Sequence, residues 1–247
     1  MNVVQLRGVN FTPGTLSEIS DHIMKSIEEG NKVTVFTPNS EIVQKCIDEP
    51  DLYNVINSAE VIIPDGIGVV KAAKILKLPI RERLPGIELG EHIISISDSS
   101  LPVFFMGGKP GIADEAAKKL KEKYPNLTVC GTHDGYFKKE GEENDAVIDM
   151  INDSGAKILF VCLGAPAQEK WIYEYRDRLP GVQLMMGLGG SLDVFSGNVE
   201  RAPAFFCKTG LEWFYRLMKE PWRAKRMMDL PRFAMTVVKE GKKHKQD

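Results

Sequence analysis

Short apolar runs recur along the chain, each followed by a polar or glycine-rich turn and then by a stretch with helical spacing. The runs at 32–37, 61–63, 103–106, 127–131, 158–162 and 183–186 are rich in Val, Ile, Leu and Phe and lack strict alternation. Strands covered on both faces read this way. Between them, helical spacing predicts helices over 16–29, 40–47, 68–76, 87–97, 112–123, 144–152 and 167–176. Pro110 and Pro166 stand where a first helical turn tolerates proline. The alternation predicts a doubly wound, mostly parallel α/β sheet.

The pattern changes after Pro203. No strand-like run follows Met186, and aromatic and methionine side chains from Phe205 to Met228 crowd together with arginines and lysines. Pro221 and Pro231 are expected to break this region into short helices. The chain therefore divides into an α/β domain over 1–203 and a helical appendage over 204–247, added to a finished sheet.

Charge sharpens that division. The net charge is −2, yet residues 208–247 hold 11 Lys+Arg against 5 Asp+Glu, so the rest of the chain is acidic. A basic tail on an acidic body points to an anionic partner. Its apolar face either docks on the sheet domain or meets an anionic membrane, with Trp213 or Trp222 at the interface. Self-association into a homo-oligomer is another way to cover it. The acidic body argues against nucleic acid. No run reaches the roughly 20 apolar residues of a membrane span, and the N-terminus lacks the pattern of a secretion signal. Cys46, Cys130, Cys162 and Cys207 form no Cys-x-x-Cys pair, which fits buried thiols in a reducing cytoplasm. The histidines show no metal-ligand spacing.

Candidate chemistry gathers where strands end. Asp65 follows the second run in Val61-Ile62-Ile63-Pro64-Asp65-Gly66-Ile67-Gly68. A carboxylate there faces the crevice in which open α/β sheets bind ligands. It is either the general base of a transferase or a cap on the next helix. Polar loops end the other strands too: Thr37-Pro38-Asn39-Ser40, Gly107-Gly108-Lys109-Pro110-Gly111, Thr132-His133-Asp134-Gly135-Tyr136, Gly164-Ala165-Pro166-Ala167-Gln168-Glu169 and Gly187-Leu188-Gly189-Gly190-Ser191. A parallel sheet puts all of them at one edge.

Gly107 and Gly108 open a helix and let backbone N–H groups approach a phosphate, or simply make a strand-to-helix turn. Arg83 clamps a diphosphate or pairs with Glu82 or Glu88. Gln168 and Glu169 read a sugar or base, or supply a polar first helical turn. Asp193 holds ribose hydroxyls or caps a short helix. No Asp-x-Asp occurs, so no divalent metal is expected on the diphosphate and no cofactor is expected at all.

Taken in order, these loops resemble the WecG/TagA/CpsF family of bacterial glycosyltransferases. The residues that carry the resemblance are Thr37-Pro38-Asn39, Pro64-Asp65-Gly66-Ile67-Gly68, Arg83-Leu84-Pro85-Gly86, Phe105-Met106-Gly107-Gly108, Gly135-Tyr136-Phe137, Gly164-Ala165-Pro166-Ala167-Gln168-Glu169 and the segment from Gly187 to Asp193, with Gly197 and Arg201-Ala202-Pro203 after it.

The resemblance implies a Rossmann-like sheet domain of the GT-E type with a C-terminal helical appendage. It is nearest the branch that builds the linkage unit of wall teichoic acid. That branch moves N-acetylmannosamine from UDP to the 4-hydroxyl of GlcNAc on undecaprenyl diphosphate, with inversion. It further implies Asp65 as catalytic base, with Arg83 and Gln168 in the catalytic set and Thr37 and Asn39 on substrate. Tyr136 and Asp193 fall near the nucleoside. Arg216, Arg223 and Arg226 fall on tail arginines that close over the diphosphate. The implied location is peripheral, on the inner face of the bacterial cell membrane. Other donors of the family, UDP-N-acetylmannosamine uronate or UDP-glucose, stay open. So does a non-catalytic nucleotide-sugar-binding module. A nicotinamide oxidoreductase is disfavoured because Gly-x-Gly-x-x-Gly is missing.

Overall fold

The computed structural model describes residues 1–209, 211–219 and 229–243. It opens with a small antiparallel hairpin, β1 (Val4–Leu6) and β2 (Val9–Phe11). The chain reverses through Arg7 at φ 51° and Gly8 at φ 83°, the left-handed pair a two-residue hairpin turn requires. The hairpin was not expected, because strands of three residues are too short to show a period. Thr12 ties it to the sheet by donating its N–H to the Ile62 carbonyl at 2.7 Å.

The main sheet has six strands, all parallel: β3 (Val33–Phe36), β4 (Val61–Ile62), β5 (Val103–Gly107), β6 (Val129–His133), β7 (Ile158–Cys162) and β8 (Leu184–Gly187). Their spatial order is β4-β3-β8-β7-β5-β6. Each lies within a few residues of an apolar run in the sequence.

Alternation along the strands splits the core in two. Phe104, Met106, Leu159, Val161 and Met185 face one cluster, while Val103, Phe105, Ile158, Phe160 and Leu184 face the other. The first cluster is covered by α2 (Ser40–Asp48), α3 (Asp51–Ile56), α4 (Ile67–Ile75), α7 (Glu142–Asp153) and α8 (Ala167–Tyr175). The second is covered by α1 (Leu16–Glu28), α5 (Gly86–Ile96), α6 (Ile112–Lys123) and the short α9 (Ser191–Phe195). This is a doubly wound α/β sheet.

Among the described residues, three further helices follow: α10 (Ala204–Thr209), α11 (Glu212–Lys219) and α12 (Asp229–Lys243). Pro231 is the third described residue of α12, where a first helical turn tolerates proline. Pro221 lies outside the described residues. Helix α12 packs on the sheet domain, with Phe233 and Val237 buried in the same cluster as Val43 of α2 and Ala73 of α4. Helices α10 and α11 instead leave Phe205, Phe214 and Met218 exposed. Among the described residues, no helix is long and apolar enough to cross a membrane.

Candidate active site

A cleft of about 860 Å³ opens over the carboxyl ends of the strands. Thr37, Asn39, Asp65 and Arg83 line it, and Gly108, Tyr136, Gln168 and Asp193 complete its wall. Those eight residues come from six strand ends and the loop before α5. Gly107 is not among the lining residues. Its φ is +136°, and a Cβ there would meet the Cys162 carbonyl oxygen at 2.3 Å, so it lets β5 and β7 run close together. Helix α11 contains Arg216, whose side chain is outside the described residues, as are Arg223 and Arg226 altogether.

Asp65 is half-buried at the mouth of β4. It is not the N-cap of α4: that position is Gly66 at φ +105°, and no side-chain bond caps it. Asn39 is the N-cap of α2, its side-chain oxygen accepting the Ile42 N–H at 3.1 Å. The two helix starts touch, because a Cβ on Gly68 would lie 2.0 Å from the Ser40 hydroxyl oxygen. Arg83 is brought to the same corner by its neighbour, the Leu84 N–H donating to the Pro64 carbonyl at 3.1 Å. Glu88, one partner the sequence offered Arg83, is bonded to Arg201.

On the opposite wall, Gln168 is buried at the start of α8. Its amide oxygen accepts the Gly189 N–H at 2.8 Å, and its amide nitrogen donates to Glu169 at 2.9 Å. Thr37 donates its hydroxyl to the Gly187 carbonyl at 3.5 Å. Both side chains thus hold the loop after β8. That loop runs into α9 and Asp193, whose carboxylate accepts from the Asn198 amide at 3.3 Å.

Tyr136 stands at the rim with 70% of its surface exposed. The Gly135 N–H donates to the Gly108 carbonyl at 2.8 Å, and Lys139 bonds the Gly135 and Phe137 carbonyls while lying 3.5 Å from the Phe137 ring centre. Removal from water lowers the Lys139 pKa. Beneath the cleft, burial pushes the Cys162 thiol up to about 12.

Two polar lining residues were not singled out from sequence, and Trp213 was singled out only as part of the tail's apolar face. Glu41 is buried in the first turn of α2, Asn198 partners Asp193, and Trp213 reaches the cleft from α11. Only the Asn-x-Glu spacing after a strand hinted at Glu41; for Trp213, docking on the sheet domain and membrane contact were both open, and it lines the cleft. Among the described lining residues, Glu41, Asp65, Glu169 and Asp193 are acidic against Arg83 and Lys109. No group of three or more described His, Cys, Asp or Glu side chains is arranged to hold a metal.

An open doubly wound sheet takes its ligands at this edge, and the cleft offers a carboxylate, an arginine and a braced amide there. The model of the glycosyl transferase WecG/TagA/CpsF family matches residues 4–247, and the chain belongs to that family. It is similar to a Bacillus subtilis (strain 168) protein named N-acetylglucosaminyldiphosphoundecaprenol N-acetyl-beta-D-mannosaminyltransferase, at 34% identity over 99% of this chain and 94% of that one. Relatives of the same name from Bacillus spizizenii and Staphylococcus aureus (strain MW2) are 36% and 33% identical. They cover 97% and 98% of this chain, and 92% and 95% of their own.

Proposed function

We propose that this glycosyltransferase moves N-acetylmannosamine from UDP to the 4-hydroxyl of GlcNAc on undecaprenyl diphosphate, with inversion and without a metal ion. The acceptor and the transferred sugar are those in the names of the relatives, matched over nearly the whole chain. The observation that carries the mechanism is the placement of Asp65: in the cleft and at a strand end.

In this reading the Asp65 carboxylate takes the acceptor hydroxyl proton as that oxygen attacks the anomeric carbon. The bond from that carbon to the diphosphate breaks, and UDP leaves with the negative charge. Attack opposite the leaving group inverts the centre. Arg83, Gly108 and the tail arginines Arg216, Arg223 and Arg226 stabilise the departing diphosphate. The lining charge supports a contribution from the tail, since the described cleft holds more carboxylates than cations. Tyr136 and Asp193 take the nucleoside. The exposed aromatic face of α10 and α11 rests on the cytoplasmic membrane surface, where the lipid-linked acceptor is presented.

The test is UDP release from UDP-N-acetylmannosamine, its uronate and UDP-glucose with a lipid-linked GlcNAc acceptor and EDTA present. Turnover with the first donor alone is expected, with Asp65→Ala slower by about 100-fold or more. Wild-type turnover by Asp65→Ala would remove the base, and loss of turnover in EDTA would remove metal independence.

A further inference from the structure

Glu169 is buried one residue after Gln168, and both are 2% exposed. A carboxylate held out of water is costly and needs compensating bonds. One of them is to the Gln168 amide nitrogen, 2.9 Å away. On the other side of that amide, the oxygen accepts the Gly189 N–H at 2.8 Å. An ionised carboxylate only accepts and a backbone N–H only donates. Only one of the two orientations of the Gln168 amide makes both bonds. The flipped amide sets oxygen against carboxylate and nitrogen against N–H.

The amide so fixed lies flat on the end of β8, where a Cβ on Gly187 would come within 2.9 Å of its nitrogen. The Thr37 hydroxyl holds the same strand end through the Gly187 carbonyl. Beyond it, Gly189 turns at φ +52° and leads into α9 with Asp193.

We infer that Glu169 is a positioning residue: its carboxylate locks the amide of Gln168 and, through it, the 187–191 loop on the wall of the cleft. The structural claim stands without the transfer reaction; its kinetic consequence rests on the function proposed above. Glu169 contributes by denying Gln168 its second orientation, so that the wall the substrates meet is set before they bind.

The test compares wild type with Glu169→Gln, Glu169→Ala and the exchanged pair Gln168→Glu/Glu169→Gln. Hydrogen exchange at the Gly189 amide is read beside kcat and the donor KM. Exchange at Gly189 is expected to quicken about tenfold in both single variants. In these variants kcat falls about tenfold and donor KM moves less than about threefold. In the exchanged pair a carboxylate at position 168 accepts the Gly189 N–H and an amide at 169 donates to it, so slow exchange returns. Wild-type exchange in both single variants overturns the inference, as does faster exchange with unchanged kcat. Exchange needs no substrate, so a protein that transfers no sugar refutes the transferase reading while Gly189 still decides the role of Glu169.

Discussion

Arg232 of the last helix grips Asp48 of α2 with two hydrogen bonds, of 2.9 and 3.0 Å. The fork marks where the basic tail returns to the sheet domain, and one residue on, Phe233 enters the core. The two contacts differ in consequence. The ion pair is exposed and screened, so Arg232→Ala leaves the urea midpoint near that of wild type. Phe233→Ala empties a buried site and costs about 3–5 kcal/mol in urea unfolding. Equal midpoints for both variants would mean that α12 does not belong to the core.

The abutting starts of α2 and α4 set the second prediction. Gly68→Ala drives a methyl into Ser40, displaces the start of α4 and shifts Asp65, which immediately precedes the Gly66–Ile67 turn. UDP release should fall about 10- to 100-fold. Adding Ser40→Ala removes the hydroxyl that clashes and should recover most of the rate. A double variant as slow as the single would place the defect elsewhere.

Gly107 is predicted to matter for folding and not for contact with substrate. Gly107→Ala sets a Cβ against backbone that cannot rotate away, at a φ that side chains avoid. The cost should exceed about 2 kcal/mol. A protein of wild-type stability that has lost donor affinity would return Gly107 to the binding surface.

The buried thiols give the protein an alkaline limit. Burial, and after it the Glu169 charge, push the Cys46 thiol from 9.0 up to about 12. Burial does the same to Cys162. Unfolded thiols ionise from about pH 9 while the folded ones stay protonated, so their contribution is full below that pH and is lost as pH rises towards 12. The melting temperature should fall across this window, and less steeply in Cys46→Ala. Both thiols should resist a thiol reagent at pH 8 in the native state. An unchanged slope in the variant would show that other groups set the alkaline limit.

What could be read in the sequence followed from burial on both faces of the sheet. The run Ile158–Cys162 is a strand in full because both faces of that segment are apolar, and the polar loops had to share one edge once the strands were parallel. The direction of side chains within those loops could not be read. Asn39 and Asp65 both offered a side-chain oxygen ahead of a helix, yet Asn39 takes the N-cap position of its helix while Gly66 takes that of α4 after Asp65. The burial of Phe233 depends on α2 and α4, which lie more than 150 residues earlier.

The position of β8 has a consequence for how the site comes into being. Among the described residues it is the last strand to be synthesised, yet it lies between β3 and β7. Until Leu184–Gly187 emerges from the ribosome, the nascent chain can hold two fragments, β4-β3 and β7-β5-β6, with no strand to join them. Thr37 then waits for a carbonyl 150 residues downstream, and Gln168 for an N–H 21 residues on. Completion of the sheet and completion of the cleft are one event, so a nascent chain stalled before β8 has no assembled cleft.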